Sequence, residues 1–417
     1  MLDTYYFYLS KYLLMRYYIL VLTVFFLLSC SKKENERLEK GTYRAELLVQ
    51  DSQILPFIFE VDDEKSLRIF NADEVIDVDE IIYKNDSVYI QTPVFEGVII
   101  ANIKNGVLQG NFVKESLDRI VPFKAVKNTE RFSISSQDSP AIVEGIWEAV
   151  FSQNVAEDEY VAKGIFKQVG NAVTGTFRTT TGDYRYLEGV MDNDSLKLST
   201  FDGAHAFLFH AKVTDSTMTG VFYSGNHWKE PFVAKRNDTY ELPSANELTF
   251  LNKGYDRFDF SFENEQGELV SLKDKHFHGK VVVVQVMGTW CPNCLDESKY
   301  YTKYVREHPN SDVAFVALAF EYAKTKDIAL QRIKRLKDKI GIPYPILLAQ
   351  YGSSDKKLAQ KKLPMLNHII SYPTSIFIDK KGNVRKIHTG FNGPATGQKH
   401  LDFQKEFETF VNSLSKE

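Results

Sequence analysis

The chain has 417 residues, too many for one ordinary domain and enough for two or three. Its 51 basic and 55 acidic residues leave a formal charge of −4, which gives no reason to expect nucleic acid or another polyanion as a partner. Hydrophobic residues make up 43% of the chain, as in a folded protein with substantial cores, and three cysteines are too few for a disulfide scaffold.

Arg16 precedes an apolar run from Tyr17 to Leu28, which ends in Leu27-Leu28-Ser29-Cys30 and turns polar at Ser31-Lys32-Lys33. The run is short for a bilayer crossing, so residues 1–30 read as a signal peptide. A membrane helix over residues 5–28 is the other reading, and Met15 offers a second start. Leu-x-Ser-Cys resembles the lipobox of bacterial lipoproteins, and that resemblance implies that Cys30 is lipidated and anchors the protein to a membrane. Residues 31–40 are charged and read as a tether.

An internal repeat follows. Gly41-Thr42-Tyr43 recurs as Gly145-Ile146-Trp147, Asn85-Asp86-Ser87 as Asn193-Asp194-Ser195, Gly110 before Phe112 as Gly220 before Phe222, and Pro122-Phe123-Lys124-Ala125 as Pro231-Phe232-Val233-Ala234. The offsets lie between 104 and 110 residues, so a whole unit is expected to be duplicated. Each copy alternates apolar and polar residues between turn signals such as Lys104-Asn105-Gly106 and Thr181-Gly182-Asp183. Two β-rich units, residues 41–130 and 141–237, are expected as small antiparallel barrels or sandwiches, or as one double module, joined near Lys127 to Ala141. Tyr223, His227 and Trp228 are expected in the β core rather than in a groove. His205, His210 and His227 lack the spacing of a metal site. As a whole the region reads as a spacer or substrate-presenting module.

After a polar linker, Lys235 to Asn246, residues 250–417 alternate strands with helices. Phe258, Phe260 and Phe262 read as an edge strand that turns at Asn264 to Gly267. Val281 to Met287 is a β-branched run of the kind that fills a buried strand, and Leu295 to Glu307 should be helical. Val313 to Phe320 reads as a second buried strand, and Asp327 as the cap of a helix closed by Gly341. Pro343 to Gln350 and Lys357 to Ile369 read as a strand and a helix. Ile376 to Ile378 and Val384 to Ile387 form a hairpin, and Phe403, Phe407, Phe410 and Leu414 stripe a closing helix.

Between the first strand and helix stands Gly288-Thr289-Trp290-Cys291-Pro292-Asn293-Cys294. A cysteine at a helix N-terminus faces free backbone N–H groups and the positive end of the dipole, which favour thiolate over thiol. A free cysteine with pKa near ~8.5 is only a few per cent ionised at neutral pH, so such a site becomes far more reactive. Cys291 is therefore read as the nucleophile and Cys294, one turn on, as the resolving thiol, the pair cycling through a Cys291–Cys294 disulfide. Cys-x-x-Cys alone could be half a zinc site, but zinc needs four ligands and the chain offers no second cysteine pair.

Trp290-Cys291-Pro292-Asn293-Cys294, with Gly279-Lys280 before its strand and Ser371-Tyr372-Pro373-Thr374 downstream, resembles the thioredoxin fold. More narrowly it is similar to the TlpA/ResA-type thiol-disulfide oxidoreductases of bacterial cell envelopes. The resemblance covers about residues 256–417, implies a C-terminal α/β thioredoxin-like domain there, and leaves about the first 240 residues to the repeat, which is read as a duplicated antiparallel β region. It implies that Pro373 is cis and packs on the cysteine pair, and that Trp290, Tyr372 and Pro373 shape the substrate groove. Thioredoxin has a buried aspartate six residues before its first cysteine; here Gln285 stands there and cannot cycle a proton. Glu297 matches a glutamate of the ResA type and is the candidate base, its other reading being an ordinary first-turn carboxylate on the helix dipole.

The function that follows is a membrane-tethered reductase of envelope protein disulfides, on the periplasmic or extracytoplasmic side. It would be fed by an upstream membrane electron donor, with no cofactor beyond its own dithiol. A peroxiredoxin-like peroxidase is disfavoured because Gly288 stands where that family carries threonine. A non-catalytic copper-delivery protein, with Cys291, Cys294 and His368 or His388 as ligands, is the remaining alternative.

Overall fold

The computed structural model describes residues 15–17, 36–135 and 141–417. Cys30, the leader apart from residues 15–17, and residues 31–35 of the expected tether lie outside the described residues. Within Met1–Glu36 the described residues are the helical piece Met15–Tyr17 and Glu36, and Arg37–Glu417 forms one unit. Among the described residues no helix is long and apolar enough to cross a membrane.

Alternating sequence yields alternating burial. In the strand Gly41–Leu48, Tyr43, Ala45 and Leu47 turn inward while their neighbours stay partly exposed. Nine antiparallel strands between Gly41 and Lys127 form the first sheet, whose end strands, Glu74–Val78 and Glu80–Lys84, are consecutive in the chain but do not pair. Nine more between Gly145 and Arg236 form the second. This one closes on itself, because Tyr160–Val169 pairs with both Gly145–Phe151 and Ala172–Thr179.

The repeated residues hold matching places. Gly41 and Gly145 both open their strands at positive φ, and Tyr43 and Trp147 are both sealed in the core. Each first strand pairs with its sheet's last strand in the same register, Ala45 opposite Ala125 and Ala149 opposite Ala234. Gly110 and Gly220 both stand where a Cβ would strike the neighbouring strand's backbone carbonyl. The sheets share apolar contacts, for Phe201, Ala206, Leu208 and Tyr223 of the second enter the core of the first.

The third sheet has seven strands in the order Leu269–Ser271, Ser261–Glu263, Ile346–Gln350, Val313–Phe320, Val281–Met287, Thr374–Ile378, Val384–Thr389. Val281–Met287 is buried along its whole length, parallel to Val313–Phe320 and antiparallel to Thr374–Ile378. Such two-sided burial explains its unbroken β-branched composition.

Several local expectations are corrected. Only Ser261–Glu263 of the phenylalanine segment finds a pairing partner, and Phe258 and Phe260 fill the core instead. Thr325, not Asp327, caps the helix Lys326–Ile340: its hydroxyl accepts from the Ile328 N–H at 3.3 Å, leaving Asp327 in the first turn. The helix after the third core strand covers only Lys356–Lys362, since Pro364 cannot continue it. Leu38 is already buried in the first core, so the expected tether does not extend to residue 40. Tyr223 is buried as expected, whereas His227 and Trp228 are exposed, at the turn beyond the end of the core. The linker is packed down, with Ala245 O accepting from Thr389 N at 2.8 Å.

Candidate active site

The redox helix runs Pro292–Glu307, with Cys291 as its N-cap and Pro292 in its first position, where a missing N–H costs nothing. Cys291 Sγ accepts the Cys294 N–H at 3.2 Å and donates to Tyr372 O at 3.3 Å. Both cysteines are free thiols; Cys291 keeps 7% of its surface and Cys294 none. Burial first, then contact with Cys291, pushes the Cys294 thiol well above its ordinary pKa. The Tyr372–Pro373 bond is cis. Trp290 lies beside the pair, donating to Phe320 O at 2.9 Å, its ring 5.4 Å from Tyr322 and 5.6 Å from Tyr372. Gly288 is needed here because a Cβ would collide with the Trp290 indole.

Behind Cys294 lies Glu297, without any exposed surface. It is therefore no first-turn surface carboxylate. Gln285 Nε2 donates to its Oε2 at 2.8 Å and to Cys294 O at 3.3 Å; Tyr301 and Ser375 hydroxyls donate to its Oε1 at 3.1 and 3.0 Å. Burial outweighs those three donors and pushes its pKa up to about 7. A carboxyl poised there exchanges protons readily near neutral pH.

A second glutamate escaped sequence reasoning. Glu321 follows directly on the strand Val313–Phe320, equally buried, and accepts the Thr289 N–H and hydroxyl at 2.7 Å each. Burial again dominates and lifts its pKa to about 7. Its signal was an acidic residue at the end of an apolar strand, on the same side as the redox turn.

The structure brings Trp290, Cys291, Cys294, Glu297, Tyr372 and Pro373 together, and leaves the histidines out. His388 is buried against Asn246, Nδ1 to Oδ1 2.9 Å, and burial lowers its pKa to about 3. Among the described residues no three His, Cys, Asp or Glu side chains are placed to hold a metal, so neither His368 nor His388 completes a copper site with the cysteines.

Residues 254–401 match the Redoxin family. The thioredoxin-like protein YneN of Bacillus subtilis is 29% identical over 151 residues, 36% of this chain and 79% of that protein. The thiol-disulfide oxidoreductase ResA of Halalkalibacterium halodurans is 29% identical over 142 residues, 33% of this chain and 68% of its own. The thiol:disulfide interchange protein DsbE of Pasteurella multocida is 30% identical over 113 residues, 27% of this chain and 52% of that protein. A dithiol turn beneath a cis proline, carried by a redoxin-matching segment, makes the C-terminal part of this chain a thioredoxin-fold, ResA-like thiol-disulfide oxidoreductase domain.

Proposed function

We propose that the protein is a membrane-tethered reductase of protein disulfides on the extracytoplasmic side of a bacterial membrane, working through the Cys291–Cys294 dithiol. The observation that carries it is the N-cap sulfur of Cys291 with a sealed Cys294 and, behind it, a buried Glu297 whose pKa burial pushes up to about 7. Cys291 thiolate attacks a substrate disulfide, forming a mixed disulfide and releasing one substrate thiolate. Glu297 accepts the Cys294 proton. The Cys294 thiolate then attacks Cys291 Sγ, the bond to substrate breaks, and the Cys291–Cys294 disulfide forms as two electrons leave with the substrate. Trp290, Tyr372 and Pro373 border the reacting sulfur and hold the substrate segment. A membrane electron donor would restore the dithiol.

In this reading Cys30 carries the lipid after removal of residues 1–29, residues 31–40 include the tether, and residues 250–417 are the redox domain. Residues 41–130 and 141–237 are copies of one duplicated unit; the matching register of Ala45–Ala125 and Ala149–Ala234 supports this. The testing measurement is the redox midpoint of the pair in graded thiol buffers, read by alkylation mass shift. A value near about −270 mV is expected for a reductase, whereas one near about −120 mV would make it an oxidant. Cys291→Ser is expected to abolish disulfide reduction; unchanged turnover would remove the dithiol from the mechanism.

A further inference from the structure

The turn Thr181-Gly182-Asp183 of the second sheet reaches the redox site of the same chain. Gly182 makes an isolated parallel bridge to Phe391, two residues past the edge strand Val384–Thr389 of the third sheet, so the turn lies against the end of that edge. Ser371, two residues before Pro373, donates its hydroxyl to Thr181 O at 2.8 Å. Asn293, between the two cysteines, donates to Asp183 O at 3.2 Å, and its own Oδ1 is sealed without a partner among the described residues. The turn thus touches the redox turn, the proline loop and the sheet edge at once. An extended polypeptide adding to that edge, by the usual strand-addition route, would need the same place.

The turn is fastened rather than loose. Asp183 Oδ2 accepts the Gly393 N–H at 2.6 Å, and Arg178 Nε donates to Asn392 Oδ1 at 3.1 Å. Two residues on, the buried Arg185 pairs with Asp296 of the redox helix, with Glu74 of the first sheet at 2.7 Å and with Asp202 at 3.4 Å. Separating these groups would leave buried carboxylates uncompensated, so the second sheet does not swing aside freely.

We propose that Thr181–Asp183 is a fixed specificity wall that excludes extended polypeptide strands from Cys291. It admits disulfides that reach the sulfur without pairing to the sheet edge, on small molecules or at the tip of a protruding loop. The inference rests on the thiol-disulfide reading, with the same bond exchange between Cys291, Cys294 and substrate.

Gly182 supplies the test, because it stands at φ +148°, a conformation L side chains rarely adopt, and a Cβ there would also crowd the Asn293 amide, so a larger residue strains the turn out of its present place. Cys291 of the reduced full chain is alkylated with iodoacetamide and with a maleimide carried on an extended peptide, each rate normalised to free glutathione. Wild-type protein is expected to disfavour the peptide reagent, and Gly182→Leu to narrow that discrimination on the order of tenfold. Gly182→Ala serves if the leucine variant does not fold. Equal modification of the wild type by both reagents, an unchanged ratio in the variant, or a slower peptide reaction would each overturn the wall. Alkylation needs no turnover, so a protein that reduces no disulfide would sink the reductase reading while this ratio still decides the wall.

Discussion

Two sealed carboxyl pockets flank the redox turn, and they differ in what surrounds them. Glu297, behind the helix, is held by three neutral donors, Gln285, Tyr301 and Ser375, all within the thioredoxin-like part. Glu321, under the turn, is held by Thr289 and also feels Arg332 and Glu96, the latter from the loop between Ser87–Gln91 and Val98–Lys104 of the first sheet. Both sit near pKa 7, for the same primary reason of burial. In the proposed mechanism Glu297 serves Cys294, whereas Glu321 holds Thr289 of the redox turn and feels a charge from the first sheet. Equal pKa values do not imply equal roles.

Replacing Glu297 breaks this contrast most strongly. Glu297→Gln keeps the shape but cannot take a proton, and single-turnover release of the mixed disulfide is expected to slow by about a hundredfold to ten-thousandfold. The inflection near pH 7 in that rate should vanish. Glu321→Gln should leave the inflection in place, and if it too erases it, the division of roles fails.

A smaller effect appears in stability. Below about pH 4.5 folded and unfolded carboxyls alike hold their protons; between about 4.5 and 7 the unfolded chain releases them first, so stability falls as pH rises and the loss is complete above about 7. Each glutamate contributes about 3 kcal/mol to that fall. Either amide variant, unfolded in urea at pH 4 and pH 8, should show a correspondingly shallower decline than wild type. Parallel declines would mean that neither carboxyl is sealed as described.

How much of this was legible follows from how local each feature is. The strand Val281–Met287, the helix from Pro292 and the cysteine pair are written in contiguous residues whose periodicity and capping chemistry suffice. The β-rich character of residues 41–237 was legible because Gly41, Tyr43 and Phe123, like Gly145, Trp147 and Phe232, stand at strand-opening or inward positions of alternating strands. Docking was not. Arg185 meets Glu74 and Asp296 each across 111 residues, and nothing in the local pattern of Tyr184-Arg185-Tyr186 announces either. Thr325 was passed over for Asp327 because both are good cap residues, and only the backbone angles at Thr325 decide between them. Trp228 belongs by alternation to the inward face with Glu230 and Phe232, yet the barrel's core ends before it.

The finest test separates the pockets by charge alone. Glu96 is buried and paired with Arg332, and its carboxylate raises the pKa of Glu321 while Arg332 lowers it. Glu96→Gln removes the raising charge and frees the guanidinium to act on Glu321, so both changes push in the same direction. The Glu321 titration, followed by carbon-13 NMR of the glutamate carboxyls, should therefore move down. Glu297 draws its shift from burial and three neutral donors, with neither Glu96 nor Arg332 among the causes, so its titration should stay where it is. A matching movement at Glu297 would mean that the β module reaches both sides of the redox turn, and the pocket behind Cys294 would no longer count as the redox domain's own.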